Sequence, residues 1–218
     1  RLDHAARLQI ADIGCGTGAS TLALASRLPN ARIIAVDLFP EFLGVLTERA
    51  RDAGCSDQIE TLAVSMDSLP FASESKDLIW SEGAIYNMGF SIGIEAWRPF
   101  LRPGGVIAVS EITWLRPDPP AEIRQYWNSE YPEIATAAVK TAILERAGYE
   151  LLGYLVLPSS NWLDNYYRPT EERIPSFLKR HPGLPEAAEI VQMQRQEADL
   201  YIRYQDWFGY GFYVARKR

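Results

Sequence analysis

Asp12-Ile13-Gly14-Cys15-Gly16-Thr17-Gly18 is the stretch that decides the fold of this chain. It ends a short apolar run, and helical periodicity begins directly after it. A turn from a buried strand into a helix lets backbone N–H groups and the positive helix end approach a ligand, provided that no side chains intervene. Gly14, Gly16 and Gly18 meet that condition. The stretch therefore predicts a ligand-binding loop rather than a plain turn.

Short runs rich in valine and isoleucine alternate with longer helical stretches, which is typical of strand-helix-strand units and a buried parallel sheet. We predict an α/β fold with a doubly wound, Rossmann-like sheet, mostly parallel with a last antiparallel strand, and helices on both faces. The predicted strands are Leu8 to Ile13, Arg32 to Val36, Ile59 to Val64, Lys76 to Trp80, Gly105 to Ser110, Glu150 to Leu157 and Tyr210 to Ala215. The last of these is expected to close the sheet at an edge.

Helices are predicted in the segments between these strands. They run from Gly18 to about Leu28, Glu41 to Ala53, Glu95 to Leu101, Ala121 to Ser129, Ile134 to Ala147 and Glu186 to Asp206. The segment Asn161 to Pro185 is interrupted by prolines and rich in aromatic residues, so we assign it no regular element. The long helix Glu186 to Asp206 either covers the sheet or forms a homodimer contact.

Size and charge limit the possible functions. A chain of 218 residues with 47% hydrophobic content is long enough for one well-packed domain. The net charge of -6 repels phosphate backbones and anionic membranes, and no basic patch opposes it, so we expect no nucleic-acid partner. No apolar run approaches the roughly 20 residues of a membrane-spanning helix.

The two cysteines, Cys15 and Cys55, lack the spacing of metal ligands. We therefore expect no metal site, and a reducing, cytoplasmic location.

The glycine loop alone leaves two enzyme classes open. The pattern Gly14-x-Gly16-x-x-Ala19 also satisfies the fingerprint of dinucleotide-binding enzymes. Asp37 follows the second strand, where an acidic side chain can accept hydrogen bonds from both ribose hydroxyls in either class. These features therefore fit a nicotinamide-dependent oxidoreductase as well as a methyltransferase.

Three further features favour the methyltransferase. Asp12 stands just before the first glycine, Asp67 follows the third strand within Ser65-Met66-Asp67-Ser68-Leu69-Pro70-Phe71, and Leu101-Arg102-Pro103-Gly104-Gly105 introduces the fifth strand. With these motifs the sequence resembles the class I S-adenosylmethionine-dependent methyltransferases. Within them it is most similar to the branch with ubiquinone and menaquinone biosynthesis methyltransferases and small-molecule N- and O-methyltransferases. The resemblance covers about residues 8–112 and is weaker beyond them.

The resemblance implies S-adenosyl-L-methionine as the cofactor and S-adenosyl-L-homocysteine as the product. In that family the glycine loop faces the methionine part, an acidic residue orients its amino group, and a second acidic residue binds the ribose. Other residues lie beside the adenine, and one accepts a hydrogen bond from its exocyclic amine. A last residue, after the fourth strand, lies where the chain passes the methionine part. Carried over in that order, the predicted cofactor-binding residues are Gly14, Cys15, Gly16 and Gly18, then Asp12, Asp37, Leu38 with Met66, Asp67, and Ser81.

Members of the family usually carry one or two helices before the first strand that cover the cofactor. Only seven residues precede Leu8 here, and the sequence begins without methionine, so the cover is either missing from this sequence or built otherwise. The family's Asn-Pro-Pro-Tyr motif and its histidine after the fifth strand are also absent.

Methyl transfer from a sulfonium is an in-line displacement, so the protein mainly supplies proximity, desolvation and, where needed, a base. No metal is required. The acceptor is expected at the carboxyl ends of the strands, beside the loop 81–90. We predict Glu82 or Glu111 as the base and Tyr86 or Asn87 as a residue that orients the acceptor.

Aromatic residues are dense in two places, Trp114 with Tyr126 and Trp127, and Trp162 with Tyr166 and Tyr167. Such walls suit a flat acceptor or, by cation–π attraction, an amine. We therefore predict a small-molecule acceptor, aromatic or an amine. The expected organisation is a single methyltransferase domain over 1–218, with the cofactor-binding core at 8–112 and acceptor-side helices, cap and closing strands at 113–218.

Three alternatives stay open at this point. A nicotinamide-dependent oxidoreductase needs a Tyr-xxx-Lys or histidine-centred pair, which the sequence lacks. A nucleic-acid methyltransferase is disfavoured by the negative charge. A fold that binds the cofactor without catalysis is the third, because the acceptor side is the less determined half.

Overall fold

The computed structural model describes residues 7–218, in which strands and helices alternate. The strands are β1 (Gln9–Ile13), β2 (Arg32–Asp37), β3 (Ile59–Ala63), β4 (Lys76–Ser81), β5 (Leu101–Trp114), β6 (Ala135–Thr136), β7 (Tyr149–Val156) and β8 (Phe208–Lys217). The α-helices are α1 (Ala19–Arg27), α2 (Pro40–Asp52), α3 (Phe90–Trp97), α4 (Ala121–Glu130), α5 (Ala137–Arg146), α6 (Ser159–Trp162), α7 (Arg168–Arg180) and α8 (Pro185–Tyr204).

These strands form one sheet in the order β3-β2-β1-β4-β5-β8-β7, with β6 beside β5. The pairs β1–β2, β1–β4, β2–β3 and β4–β5 are parallel. The chain moves outward from β1 to β3 and then returns to β4 on the other side of β1. The carboxyl ends of β1 and β4 therefore flank the topological switch point, where sheets of this kind bind ligands. The predicted α/β fold with a mostly parallel sheet is confirmed.

The last strand, β8, lies inside the sheet. Leu115 N donates to Trp207 O over 2.9 Å, which puts the end of β5 beside the start of β8. Arg218 N donates to Gly148 O over 3.0 Å, which puts the end of β8 beside the start of β7. β8 is thus antiparallel to both neighbours, as predicted, but its predicted edge position was wrong. Most of its residues are buried, as suits an inner strand, and the more exposed β7 is the edge.

Two helical segments differ from their predictions. The helix expected at Glu95 to Leu101 is α3, which begins at Phe90 because Phe90, Ile94 and Trp97 form its buried stripe. The segment Asn161 to Pro185 is mostly helical: α6, a π-helical turn at Leu163–Tyr167 and α7 follow one another. Its prolines are accommodated, since one lies in the first turn of α7 and Pro175 lies inside that helix.

The described chain divides into two compact units. The first unit comprises residues 7–111, Ala138–Leu155 and Phe212–Arg218, and the second comprises Ile112–Ala137 and Val156–Gly211. Residues 1–6, where the question of a covering segment arises, lie outside the described residues. Among residues 7–218, no helix combines the length and hydropathy needed to cross a membrane.

Candidate active site

The first unit has a cavity of about 450 Å³ at the carboxyl ends of β1, β2, β3 and β4. This volume lies within the range of roughly 300–1,000 Å³ that small-molecule sites occupy. The segment after each of the four strands contributes to the wall. The lining residues are Gly14, Gly16, Val36, Asp37, Leu38, Phe39, Phe42, Val64, Ser65, Met66, Asp67, Gly83, Ala84, Asn87 and Met88.

The three glycines of the loop after β1 have different roles. All three have positive φ angles, of 74°, 54° and 85°, which side chains rarely adopt. A Cβ at Gly14 would lie 2.2 Å from Ala84 Cβ, and one at Gly18 would lie 2.1 Å from Leu46 Cδ1. A Cβ at Gly16 would have no atom within 4 Å. Gly14 and Gly18 therefore allow close packing, whereas Gly16 leaves open space at the cavity wall.

Asp37 is the last residue of β2, and its carboxylate is held at both oxygens. Oδ2 accepts a hydrogen bond from Gly16 N over 2.8 Å, and Oδ1 accepts one from Phe39 N over 3.0 Å. Both donors are backbone groups, so the carboxylate has a defined orientation. Each oxygen keeps a further lone pair, which suits it to accept from the hydroxyls of a bound sugar.

Met66 and Asp67 form another wall of the cavity, after β3. The indole N–H of the buried Trp97 donates to Met66 O over 3.0 Å, so α3 holds this segment in place. The hydroxyls of Ser65 and Ser68 hydrogen-bond to Asp67 and hold the pKa of its carboxyl below the ordinary value. Asp67 is therefore an ionised acceptor, suited to an amine donor.

Asp12 and Cys15 are buried and do not line the cavity. Thr21 Oγ1 donates to Asp12 Oδ2 over 2.5 Å. Burial nevertheless raises the pKa of Asp12 from 3.8 to about 7, with smaller contributions from the charges of Glu82 and Asp37. Burial, and then the charges of Asp12 and Asp37, also raise the pKa of the Cys15 thiol. The thiol is therefore neutral.

The loop after β4 is anchored at two points. Ser20 Oγ donates to Glu82 Oε2 over 2.6 Å, and Gly83 N donates to Ser110 Oγ over 2.7 Å. Glu82 is exposed, and Tyr86 keeps 44% of its surface accessible. Neither side chain lines the cavity, although Gly83, Ala84, Asn87 and Met88 of the same loop do.

Glu111 occupies a different environment from the one a base requires. Lys140 Nζ lies 2.8 Å from Glu111 Oε1, and both side chains are 0% exposed. The ammonium also lies 4.6 Å from the centre of the Phe90 ring. Because a buried, paired carboxylate outside the cavity lining cannot collect a substrate proton, we do not retain Glu111 as the base.

The predicted site residues thus fall into two groups. The cavity is lined by Gly14, Gly16, Asp37, Leu38, Met66 and Asp67. It is not lined by Asp12, Cys15, Gly18, Ser81, Glu82, Tyr86 or Glu111.

The sequence did not indicate Phe39 and Phe42, which flank Pro40 at the start of α2 and are unusually exposed aromatics. Their position directly after Asp37 was the available signal. No group of three or more potential metal ligands occurs within residues 7–218.

Comparisons with known proteins agree with this geometry. A family model described as "Methyltransferase domain" matches residues 10–105. The methyltransferase GfsG of Streptomyces halstedii is 31% identical over 236 aligned residues, which cover 100% of this chain and 77% of the relative. The chain belongs to the class I S-adenosylmethionine-dependent methyltransferases.

Two other methyltransferases are also similar to the chain. The erythromycin 3''-O-methyltransferase of Saccharopolyspora erythraea is 28% identical over 128 residues, 58% of this chain. The chain covers only 40% of that relative's length. A solved methyltransferase from Geobacter sulfurreducens, in complex with S-adenosyl-L-homocysteine, superposes with a TM-score of 0.83 over 97% of this chain and 85% of its own, at 20% identity. This superposition supports the methyltransferase fold.

Proposed function

We propose that the protein transfers the methyl group of S-adenosylmethionine to a small-molecule acceptor. The observation that carries this proposal is the cavity at the switch point, where Gly16 N and the Asp37 carboxylate meet at the wall. At Gly16 no side chain separates the backbone from the cavity, and the Asp37 carboxylate is an oriented hydrogen-bond acceptor. Both features suit the binding of a nucleoside. Family membership supports the methyl donor as that ligand.

The cavity wall suggests how the cofactor would be held. The free lone pairs of Asp37 would accept from the ribose hydroxyls. Leu38 and Met66 offer apolar contact to a flat base, and Asp67 offers an ionised acceptor for its exocyclic amine. The backbone at Gly14 and Gly16 would lie against the methionine part. Asp12, which is buried and hydrogen-bonded to Thr21, would orient the amino group of the methionine part.

When bound, S-adenosylmethionine supplies an activated methyl group whose transfer leaves neutral S-adenosylhomocysteine. The protein then has to hold the acceptor in line, exclude water and receive its proton where one is lost. We retain Glu82 as the candidate base, since it is an exposed carboxylate held by Ser20 in the loop after β4. Tyr86, exposed in the same loop, is the candidate that orients the acceptor.

A small-molecule acceptor is supported by the net charge of -6, which opposes binding to nucleic acid, and by the similarity to an erythromycin methyltransferase. A homodimer contact through α8 and a cytoplasmic location stay predictions from the sequence.

Calorimetric titration with S-adenosylmethionine, S-adenosylhomocysteine and NAD tests the cofactor. We expect saturable binding of the first two and none of NAD, and binding of NAD alone would overturn the proposal. A methyl-transfer screen over amines, phenols, quinone precursors and small acids then identifies the acceptor.

Glu82→Gln tests the base. With the identified acceptor we expect a loss of about 10²-fold or more in turnover, with unchanged cofactor affinity. The matched control is Glu95→Gln, at an exposed position of α3, which should keep full turnover. Full turnover in Glu82→Gln removes this residue from the mechanism.

A further inference from the structure

Helix α8 has two polar side chains on the face that packs into the second unit. Its buried positions include Ala187, Val191 and Tyr201, which recur at helical spacing. Gln194 and Glu197 fall on or beside the same stripe, and both are partly buried. An inward stripe is ordinarily apolar, because burying polar groups costs free energy unless they are matched. These two residues therefore need an explanation beyond packing.

Glu197 is a carboxylate without a cationic partner in its surroundings. Tyr167 Oη donates to Glu197 Oε1 over 2.9 Å. Within the part of the chain that the structure describes, no lysine or arginine lies within 4 Å of its oxygens. Burial raises the pKa of Glu197, and repulsion from Glu130 adds to the effect. A positive charge beside this carboxylate would remove an electrostatic cost that the folded chain now carries.

Tyr167, which donates to this carboxylate, belongs to a cluster of aromatic rings. Trp162 stacks on Tyr167, with ring centres 5.5 Å apart and planes inclined by 23°. Trp127 meets Tyr126 edge to face at 5.2 Å. Burial raises the pKa of Tyr126 to about 12, and the charges of Glu197 and Glu130 add to the effect. The two aromatic groups of the sequence thus form one cluster, and the negative faces of such rings attract cations.

Two hydrogen-bond donors in the second unit also lack protein acceptors. Trp127 Nε1 and Gln194 Nε2 are both buried and have no hydrogen-bond partner among the described residues. Leaving such a group unsatisfied costs about 1–3 kcal/mol, and native structures contain few of them. A bound molecule with acceptor atoms would satisfy both donors.

We propose that Glu197 and the rings of Tyr126, Trp127, Trp162 and Tyr167 bind the ammonium group of an amine-bearing small molecule. Gln194 and Trp127 would donate to its acceptor atoms. This inference concerns the binding of the amine alone and goes beyond the proposed function. The binding itself requires no cofactor and is therefore tested separately.

The probes are benzylamine and its neutral analogue benzyl alcohol, titrated into the full chain without cofactor and followed by calorimetry and tryptophan fluorescence. We expect saturable binding of benzylamine that is about ten-fold tighter than that of benzyl alcohol. Glu197→Gln should lose this preference. The matched control is Glu189→Gln, at an exposed position on the same helix, which should keep it. Equal affinity for both probes, no binding of benzylamine, or an unchanged preference in Glu197→Gln overturns the inference.

Tyr167→Phe covers the case in which Glu197→Gln does not fold. It removes the hydroxyl that donates to Glu197 and keeps both the ring and the carboxylate. The preference for benzylamine should persist in this variant, and its loss contradicts a site centred on the carboxylate. Titration with S-adenosylmethionine separates the two proposals. Amine binding without cofactor binding contradicts only the methyl transfer, and cofactor binding without amine binding contradicts only this site.

Discussion

The backbone N–H of Gly16 donates a 2.8 Å hydrogen bond to the carboxylate of Asp37, which joins the glycine loop directly to the end of β2. Both residues line the same cavity. Asp37 therefore orders the loop and also presents free lone pairs to a ligand. Changes at this carboxylate should affect both the stability of the loop and the affinity for the cofactor.

Asp37→Asn is expected to weaken S-adenosylmethionine binding by about ten-fold or more. The amide has one acceptor oxygen, so it cannot accept from both Gly16 N and Phe39 N and still bind the ribose. The free energy of unfolding should fall by about 1 kcal/mol for the lost hydrogen bond. Calorimetry and urea unfolding measure the two effects. Asp52→Asn, at an exposed position of α2, is the control, and an unchanged dissociation constant in Asp37→Asn contradicts the assigned role.

Asp12→Asn is expected to stabilise the protein at pH 8 but not at pH 4. Because burial raises the pKa of Asp12 from 3.8 to about 7, the folded state favours the neutral carboxyl. The stability from this group is present below about pH 4 and is lost as the pH rises through 7. A pKa difference of this size corresponds to about 4 kcal/mol. Asparagine stays neutral and can still accept from Thr21.

Urea unfolding of Asp12→Asn and the unaltered protein between pH 4 and pH 9 measures this effect. The two curves should separate progressively above about pH 4 and become parallel above about pH 7. Curves that keep a constant separation over the whole range would show that Asp12 ionises as it does in the unfolded chain.

Gly93→Ala is expected to disturb the cavity from a distance. A Cβ at Gly93 would lie 2.6 Å from Ile85 Cγ1, and Ile85 is fully buried in the 3-10 helix Ile85–Asn87, which directly precedes Met88. Such overpacking costs about 1–3 kcal/mol, and the shifted loop should weaken cofactor binding. Thermal unfolding and calorimetry test both effects.

Gly44→Ala is the matched control for this change. Gly44 lies in α2, and a Cβ there has no atom within 4 Å. Alanine should therefore stabilise that helix by about 0.4–1 kcal/mol and leave cofactor affinity unchanged. If Gly93→Ala behaves like Gly44→Ala, the close approach of α3 and the loop is not required.

Lys140→Met is expected to lower the free energy of unfolding by about 3–5 kcal/mol, because it leaves the buried Glu111 carboxylate without this cation. The double variant Lys140→Met with Glu111→Leu should recover most of the loss, since an apolar pair of similar volume needs no charge compensation. Urea unfolding measures all three proteins. A double variant as unstable as Lys140→Met would indicate that the pair is not the cause.

Part of the candidate site was predictable from the sequence because it depends on local chemistry. Glycines with positive φ, an acidic residue ending β2 and an acidic residue after β3 are recognisable in short stretches. Parallel strands bring their carboxyl ends to one edge, so these stretches meet whatever the remaining packing is. Asp37, Met66 and Asp67 accordingly line one cavity.

The sequence by itself therefore determined the α/β fold, the ligand loop and the wall that follows β2 and β3. Only the tertiary structure decided that Glu111 pairs with Lys140, that Asp12 is buried, and that β8 lies inside the sheet. The same is true of the aromatic cluster that contacts Glu197 through the Tyr167 hydroxyl. These features depend on contacts between residues far apart in the chain, and burial and pairing arise only when packing brings such residues together.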